Sequence, residues 1–181
     1  MSYGMKIARP SAIAAAALII GLTTGDPAFA AGNGGPSSDT PTCPRGEVYD
    51  PVNKRCVRQQ SGVLPDAALT DYAYVLAKAE RYDEALDVLN LLTNPNTAKA
   101  LNYRGYATRK LGRVDEGIAY YKQSVTLDPG YASVREYLGE AYVIKGDLAA
   151  ARAELEVIKG ICGTSCEEYD DLAKAIAEHR G

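Results

Sequence analysis

The sequence predicts an all-α solenoid of three helix pairs followed by a closing helix, and a repeated pattern carries this prediction. Residues 98–131 read as a helix, a tight turn, a second helix and a Pro stop. A shift of 34 residues places Gly105 on Gly139 and Gly112 on Gly146. Within each helix the apolar residues recur at i, i+3, i+4 and i+7, which marks one buried face. Because a fixed period of this length is typical of stacked units that share a core, we expect a solenoid.

Length and charge limit the functions that the chain can have. Its 181 residues are 46% hydrophobic and 24% charged, which suits one modest globular domain. The formal net charge is -3, and the sequence contains no basic stripe able to neutralise several phosphates. We therefore expect no nucleic-acid partner.

The first 30 residues have the three parts of a secretory signal peptide. Lys6 and Arg9 precede an apolar run at about residues 12–22, and small residues end the segment at Ala30. The run is too short for a helix that spans a hydrocarbon core of about 30 Å. We expect cleavage after Ala30, no stable membrane span after cleavage, and an exported protein that is periplasmic or, alternatively, extracellular.

Two short segments separate the predicted signal peptide from the helices. Residues 31–42 are small, polar and rich in Gly and Pro, so they predict a flexible linker. Residues 43–63 predict a small disulfide loop and a further linker, because Cys43 and Cys56 bracket several turn residues. This segment resembles the Cys-bounded modules of some exported proteins.

The four cysteines are predicted to form two disulfides, since an exported chain meets an oxidising compartment. Three pairings are possible, and we favour Cys43 with Cys56 and Cys162 with Cys166 because each pair is close in sequence. The alternatives are a zinc site of all four thiolates and a redox-active pair at Cys162 and Cys166. The spacings of twelve and three intervening residues suit zinc poorly. We expect neither a metal nor another cofactor.

The repeat domain is predicted to occupy residues 64–181. Its parts are a degenerate first repeat at about 66–97, a central repeat at 98–131, a third repeat at 132–160 and a closing helix at about 165–179. The closing helix should cover the apolar face that the last repeat would otherwise expose to water.

The central repeat resembles the tetratricopeptide repeat family, and the whole chain resembles an exported bacterial member of it. Gly105 stands where the first helix lies closest to the second, Tyr121 fills the space between them, and Pro129 follows the second helix. Leu101 replaces the usual Trp of the family, and Gly117 replaces the usual Ala. The resemblance implies a right-handed solenoid.

Local signals place the ends of the last helices. Asp147 is a plausible cap for the second helix of the third repeat, and Gly160 and Gly163 are expected to end it. Ser165 and Glu168 have the spacing of a capping box, which predicts that the closing helix begins there.

In the tetratricopeptide repeat family the first helix of each repeat lines a concave groove, where extended or helical peptides lie. Transferred by position, the resemblance implies the following groove residues: Thr70, Asp71, Tyr74, Lys78, Lys99, Asn102, Tyr103, Tyr106, Arg109, Lys110, Ser133, Glu136, Tyr137 and Glu140. The alternative is that these are solvated helix faces with Tyr packing between repeats. We expect Tyr103→Ala with Tyr106→Ala to weaken partner binding with little loss of melting temperature, whereas an equal loss would identify both rings as core.

No catalytic motif accompanies these repeats. His179 is the single histidine and has no catalytic partner in view, and the paired carboxylates lie near helix starts, where they stabilise the helix dipole. The sequence therefore predicts a non-catalytic scaffold that binds a protein or peptide. One alternative is a cell-envelope tether whose Cys43–Cys56 module binds wall or surface polymer. A less favoured one is a thiol-disulfide protein using Cys162 and Cys166.

Overall fold

The computed structural model describes Met1 and residues 40–179, so the predicted signal peptide and most of the predicted linker lie outside the described residues. The elements are β1 (Glu47–Asp50), β2 (Arg55–Arg58), α1 (Asp66–Lys78), α2 (Tyr82–Leu89), α3 (Ala98–Lys110), α4 (Val114–Leu127), α5 (Ala132–Ile144), α6 (Leu148–Cys162) and α7 (Glu167–Glu178). None of the helices within this range is long and apolar enough to cross a membrane.

The helices stack as the 34-residue period predicts. The pairs α1–α2, α3–α4 and α5–α6 each pack as an antiparallel hairpin, and α7 packs on α5 and α6. The first helices α1, α3, α5 and α7 contact one another in sequence, and we call them the first-helix row. Each second helix contacts its own first helix and the first helix that follows. The all-α solenoid is therefore confirmed.

Glycine makes the close approach of α3 to α4 possible. A Cβ atom at Gly105 would lie 2.6 Å from Cε1 of Tyr121, whose ring is fully buried. A Cβ atom at Gly117 would lie 3.0 Å from both Cβ of Arg109 and the carbonyl oxygen of Gly105. The structure thus confirms the predicted contact between Gly105 and Tyr121. It also explains why position 117 departs from Ala, since even a methyl group would be tightly packed there.

The first repeat has a shorter second helix than its apolar stripe suggests. The stripe continues to Leu92, which is buried, but α2 ends at Leu89. The carboxylate of Asp66 at the start of α1 accepts hydrogen bonds from the backbone amides of Thr93 and Asn94, at 2.9 and 2.7 Å. These bonds hold the exit loop against α1 and lower the pKa of Asp66.

The segment between Cys43 and Cys56 is a β-hairpin, where the sequence predicts only a loop. Strands β1 and β2 pair antiparallel, and Val48 on β1 is fully buried in the same core as Leu69 of α1. The hydroxyl of Tyr72 accepts a hydrogen bond from the backbone amide of Cys43 at 2.6 Å. The hairpin therefore covers the N-terminal end of the solenoid core.

The C-terminal elements begin and end at partly different residues from those predicted. Asp147 caps α6 by accepting from the amide of Ala150 at 3.0 Å, as expected. Gly160 lies inside α6, which ends only at Gly163, where a φ of 84° suits glycine. The predicted capping box at Ser165 is wrong, because α7 has Cys166 as its N-cap and Glu168 instead accepts from the hydroxyl of Ser133 at 2.9 Å.

Both predicted disulfides are confirmed. Cys43 is bonded to Cys56 across the hairpin, and Cys162 at the end of α6 is bonded to Cys166 at the start of α7. The closing helix itself buries Leu172 and Ile176 against the last repeat. The first bridge thus lies in the N-terminal cover of the solenoid and the second joins the last repeat to the C-terminal cover.

Candidate functional site

Four tyrosines lie along the first-helix row and connect its helices. Tyr74 of α1 stacks on Tyr103 of α3, with ring centroids 4.7 Å apart, and Tyr106 of α3 packs against Tyr137 of α5 at 5.1 Å. We call these four residues the tyrosine row. Each ring pair joins neighbouring repeats, and aromatic pairs at such distances add stabilisation beyond the area that they bury.

Three lysines lie over the rings of the tyrosine row. The ammonium groups of Lys78, Lys99 and Lys110 are 5.9, 5.9 and 5.5 Å from the centroids of the rings of Tyr74, Tyr103 and Tyr106. Lys99 also forms an ion pair with Asp71 at 2.6 Å, whereas Lys78 and Lys110 are exposed. The surface of α1 and α3 is therefore aromatic beneath and cationic above.

Burial divides the predicted groove residues into two sets. Asn102, Tyr103, Tyr106, Arg109 and Glu136 are all at most 9% exposed, because they fill the space between neighbouring helices. The expectation that these five side chains are open to a partner is corrected. Thr70 is buried as well. The accessible members are Asp71, Tyr74, Lys78, Lys99, Lys110, Ser133, Tyr137 and Glu140.

Arg109 is the centre of a buried polar network that joins the second and third repeats. Its Nη2 donates to Glu140 of α5 at 2.6 Å, and its Nε donates to the hydroxyl of Tyr121 of α4 at 3.2 Å. Burial alone would lower the pKa of Arg109, but Tyr121 and Glu140 raise it. Burial likewise raises the pKa of Tyr121. Arg109 therefore acts as a charged link between repeats, a role that the sequence does not reveal.

The C-terminal end of the first-helix row is acidic. Glu136 of α5 is buried, and the acidic residues around it are Glu140 on the same helix and Glu167, Glu168 and Asp171 on α7. Burial, together with these carboxylates, raises the pKa of Glu136 to about 8. The row thus has exposed lysines on α1 and α3 and clustered carboxylates at α5 and α7.

The other residues weighed from the sequence lie away from the tyrosine row. His179 is exposed at the C-cap of α7, where its position agrees with the expectation. Potential ligand atoms of Cys162, Cys166 and Glu168 lie within 4.8 Å of one another, but the two sulfur atoms are bonded to each other. These sulfurs are consequently not thiolates that could hold a metal ion.

Sequence profiles and solved structures agree on the family. The tetratricopeptide repeat profile matches residues 73–132 and 104–165, which together span about half of the chain. The chain belongs to the tetratricopeptide repeat family. Its closing helix α7 and its hairpin lie wholly or largely outside the matched residues.

Two solved tetratricopeptide-like folds resemble this one. The crystal structure of MamA matches with a TM-score of 0.51 and 15% identity, over 64% of this chain and 76% of that chain. The structure of PcrH in complex with the chaperone binding region of PopB matches with a TM-score of 0.53 and 16% identity, over 66% of this chain and 99% of that chain. At these identities the likeness supports the fold.

One curated relative matches in sequence. The replication factor C small subunit of Natronomonas pharaonis is 30% identical over 138 residues, which is 73% of this chain and 40% of that protein. The chain therefore spans less than half the length of this relative, and no activity of that protein is transferred to it.

Proposed function

We propose that this tetratricopeptide repeat protein is a non-catalytic scaffold that binds a protein segment along the first-helix row. The observation that carries the proposal is the layer of lysines over the tyrosine row. Tyr74, Lys78 and Lys110 offer aromatic surface and positive charge on helices that the buried core holds rigidly. Tyrosine contributes a large contact area and a hydroxyl group at low entropic cost, as binding surfaces require.

The fold supports a protein partner. PcrH, which shares this fold, was solved with the chaperone binding region of PopB. The first-helix row of the present chain has the polar and aromatic side chains that such a segment would contact. Neighbouring first helices also lie close together, so one extended segment could contact α1, α3 and α5 at once.

We also propose that the protein is exported, most plausibly to a periplasm. Residues 1–30 have the composition of a signal peptide, and both cysteine pairs form disulfides. The hairpin formed by β1 and β2 buries Val48 and Cys43 against α1. We therefore assign it the role of N-terminal cover, in preference to that of a polymer-binding tether.

Site-specific photocrosslinking in the native cell envelope tests the proposed function. We would place p-benzoylphenylalanine at Lys110 on the first-helix row and, as a matched control, at Lys159 on the exposed side of α6. A discrete adduct is expected only from position 110, and Tyr74→Ala with Lys78→Ala should reduce it at least fivefold. Equal adducts from both positions, or none from position 110, would overturn the proposal.

A further inference from the structure

One buried carboxylate at the acidic end of the first-helix row has no cation beside it. Glu136 is 7% exposed, and no hydrogen bond or ion pair joins its side chain to another described residue. The nearby charges that act on it are all negative. A buried charge is costly unless it is paired, so this position is either neutral or awaits a partner.

One repeat earlier, the equivalent position is satisfied within the chain. Asn102 stands 34 residues before Glu136, and its Nδ2 donates to the hydroxyl of Tyr131 at the N-cap of α5, at 3.2 Å. The residue that corresponds to Tyr131 in front of α7 is Ser165. Ser165 is exposed and makes no hydrogen bond to Glu136 in the described structure. The third repeat therefore has an acceptor where the second has a donor, and it lacks the matching hydroxyl.

The carboxylates around Glu136 retain unused acceptor capacity. Glu140 already binds Arg109 at 2.6 Å, and Glu168 accepts from Ser133 at 2.9 Å. Each of these carboxylates still has further lone pairs. Asp171 is exposed and has no ion pair with another described residue. Negative charge therefore exceeds positive charge at this end of the row.

The spacing of these carboxylates favours an organic cation over a metal ion. In the described part of the chain, the ligand atoms that converge within 4.8 Å belong to Cys162, Cys166 and Glu168 and do not include those of Glu136. A metal ion requires oxygens at 2.0–2.6 Å from one centre, in rough terms. A guanidinium or ammonium group is larger and donates several hydrogen bonds in different directions, so it can serve carboxylates that are spread apart.

We propose that the acidic end, defined as Glu136, Glu140, Glu168 and Asp171, binds an arginine or lysine side chain of the segment that occupies the first-helix row. This inference rests on the proposed function and narrows the partner to segments with a basic residue at the α5–α7 end. Because exposed Lys78 and Lys110 lie on α1 and α3, the same charges orient the segment along the row. Its basic residue faces α7, and its acidic residues or carboxylate face α1 and α3.

The raised pKa of Glu136 adds a signature to this binding. A cation stabilises the ionised carboxylate, so binding below pH 8 releases a proton. The groups that face Glu136 are Glu140 and Tyr137 of α5 and Glu167, Glu168 and Asp171 of α7. Affinity for a cationic probe should therefore rise between pH 6 and pH 8.

A pair of short peptides tests the inference on the disulfide-bonded protein. The probe is the capped pentapeptide Ala-Ala-Arg-Ala-Ala, and its twin has neutral citrulline in place of arginine. Isothermal titration and amide chemical shifts would be recorded for the unmodified protein and for Glu136→Gln. Glu156→Gln, which removes the same charge from an exposed position on α6, is the matched control. Asp171→Asn is a second variant that alters only an exposed side chain.

The expected result is saturable binding of the arginine peptide with shifts confined to α5 and α7. The citrulline twin should bind at least tenfold more weakly, Glu136→Gln should cost at least tenfold, Asp171→Asn about threefold, and Glu156→Gln less than twofold. Absence of saturable binding, equal binding of the twin, or unchanged binding to Glu136→Gln would overturn the inference. Calcium at 1 mM that displaces the peptide and itself requires Glu136 would overturn it in favour of a metal site.

The crosslinking experiment at Lys110 separates failure of this inference from failure of the proposed function. If Glu136→Gln leaves the adduct at position 110 unchanged and the peptide does not bind, the scaffold function stands and the basic-residue preference is wrong. If position 110 gives no adduct, the proposed groove fails whatever the peptides show.

Discussion

Gly139 of α5 leaves the space that Leu172 of the closing helix occupies. A Cβ atom at position 139 would lie 2.5 Å from Cδ2 of Leu172 and 2.7 Å from Cδ1, and Leu172 is fully buried. Carbon atoms that are not bonded to each other do not approach so closely without displacement. The closing helix is therefore seated in the last repeat by the absence of a side chain.

Gly139→Ala is expected to lower the free energy of unfolding by about 1–3 kcal/mol, because a buried leucine must move to make room. The measurement is chemical denaturation of the disulfide-bonded protein, with hydrogen exchange of the α7 amides as a local readout. Exchange in α7 should accelerate more than exchange in α3.

Gly160→Ala is the matched control for Gly139→Ala. Gly160 also lies inside a helix, but a Cβ atom there would have no neighbour within 4 Å. The alanine should raise the free energy of unfolding by about 0.5–1 kcal/mol, since it removes backbone entropy from the unfolded chain. Equal destabilisation by both substitutions would contradict the proposed seating of Leu172.

The contact at Gly139 also marks where sequence reasoning stops. The 34-residue shift places Leu155 on Tyr121, so Leu155 would be expected to fill the space beside Gly139 as Tyr121 fills the space beside Gly105. The shorter leucine is only partly buried there, and Leu172 of α7 meets Gly139 instead. Periodicity describes the repeats themselves, but the chain has no further repeat from which the seat of a closing helix could be read.

The hairpin and the burial of the groove residues escape the sequence for different reasons. Val48 and its neighbours form too short a run for alternation to distinguish a strand from a loop, and their burial depends on the docking surface of α1. The inner-face position of Tyr103 is correctly inferred from helical spacing. Its burial is set by the neighbouring rings and helices, and spacing alone carries no distance between repeats.

Tyr103→Ala is now expected to lower stability, contrary to the expectation from the sequence. Tyr103 is 5% exposed and stacks on Tyr74, so truncation leaves a cavity and should cost about 3–4 kcal/mol. Tyr74→Ala should cost less, roughly 1 kcal/mol, because that ring is half-exposed. Thermal melts of the two variants check this order. If both melted like the unmodified protein, the packing described for the tyrosine row would be wrong.

Arg109 and Glu140 should behave as a coupled pair. The Arg109 side chain is 4% exposed, so Arg109→Met leaves Glu140 without its cation and should cost about 3 kcal/mol. Glu140→Gln should cost less, roughly 1–2 kcal/mol, because that carboxylate is partly exposed. A double-mutant cycle should give a coupling energy of about 1–2 kcal/mol. Strict additivity would contradict a direct ion pair between the repeats.

The two disulfides should contribute unequally to stability. Replacing Cys43 and Cys56 by serine frees a longer loop and disturbs a buried residue, so we expect a loss of about 3 kcal/mol. The same replacement of Cys162 and Cys166 frees a loop of sequence separation 4 and should cost about 2 kcal/mol at most. Melting temperatures of the two double variants, compared at equal pH, decide the order. A larger loss from the second pair would show that α7 depends on its bridge more than on Leu172.

Glu136 should make the protein less stable as the pH rises through neutrality. Its pKa is about 8 in the folded chain, against an ordinary value of 4.5. A proton is therefore held more tightly in the folded state, and the stabilisation is complete below about pH 4.5 and lost as the pH rises through about 8. The loss between pH 5 and pH 9 should be on the order of 2 kcal/mol, because relaxation and water penetration moderate the repulsion.

Glu136→Gln should remove most of this pH dependence and be more stable than the unmodified protein at pH 9. The carboxyl groups of Asp50, Asp66 and Glu84, whose pKa values are lowered, lose their contribution only in more acidic solution and do not disturb the window. Urea denaturation at pH 5, 7 and 9 measures both proteins, with Glu156→Gln as the charge-matched control. If Glu136→Gln and Glu156→Gln showed the same slope, Glu136 would already be ionised at pH 5. The carboxylate would then be stabilised by its surroundings in the absence of any partner, and the acidic end of the row would have no unmet need for a cation.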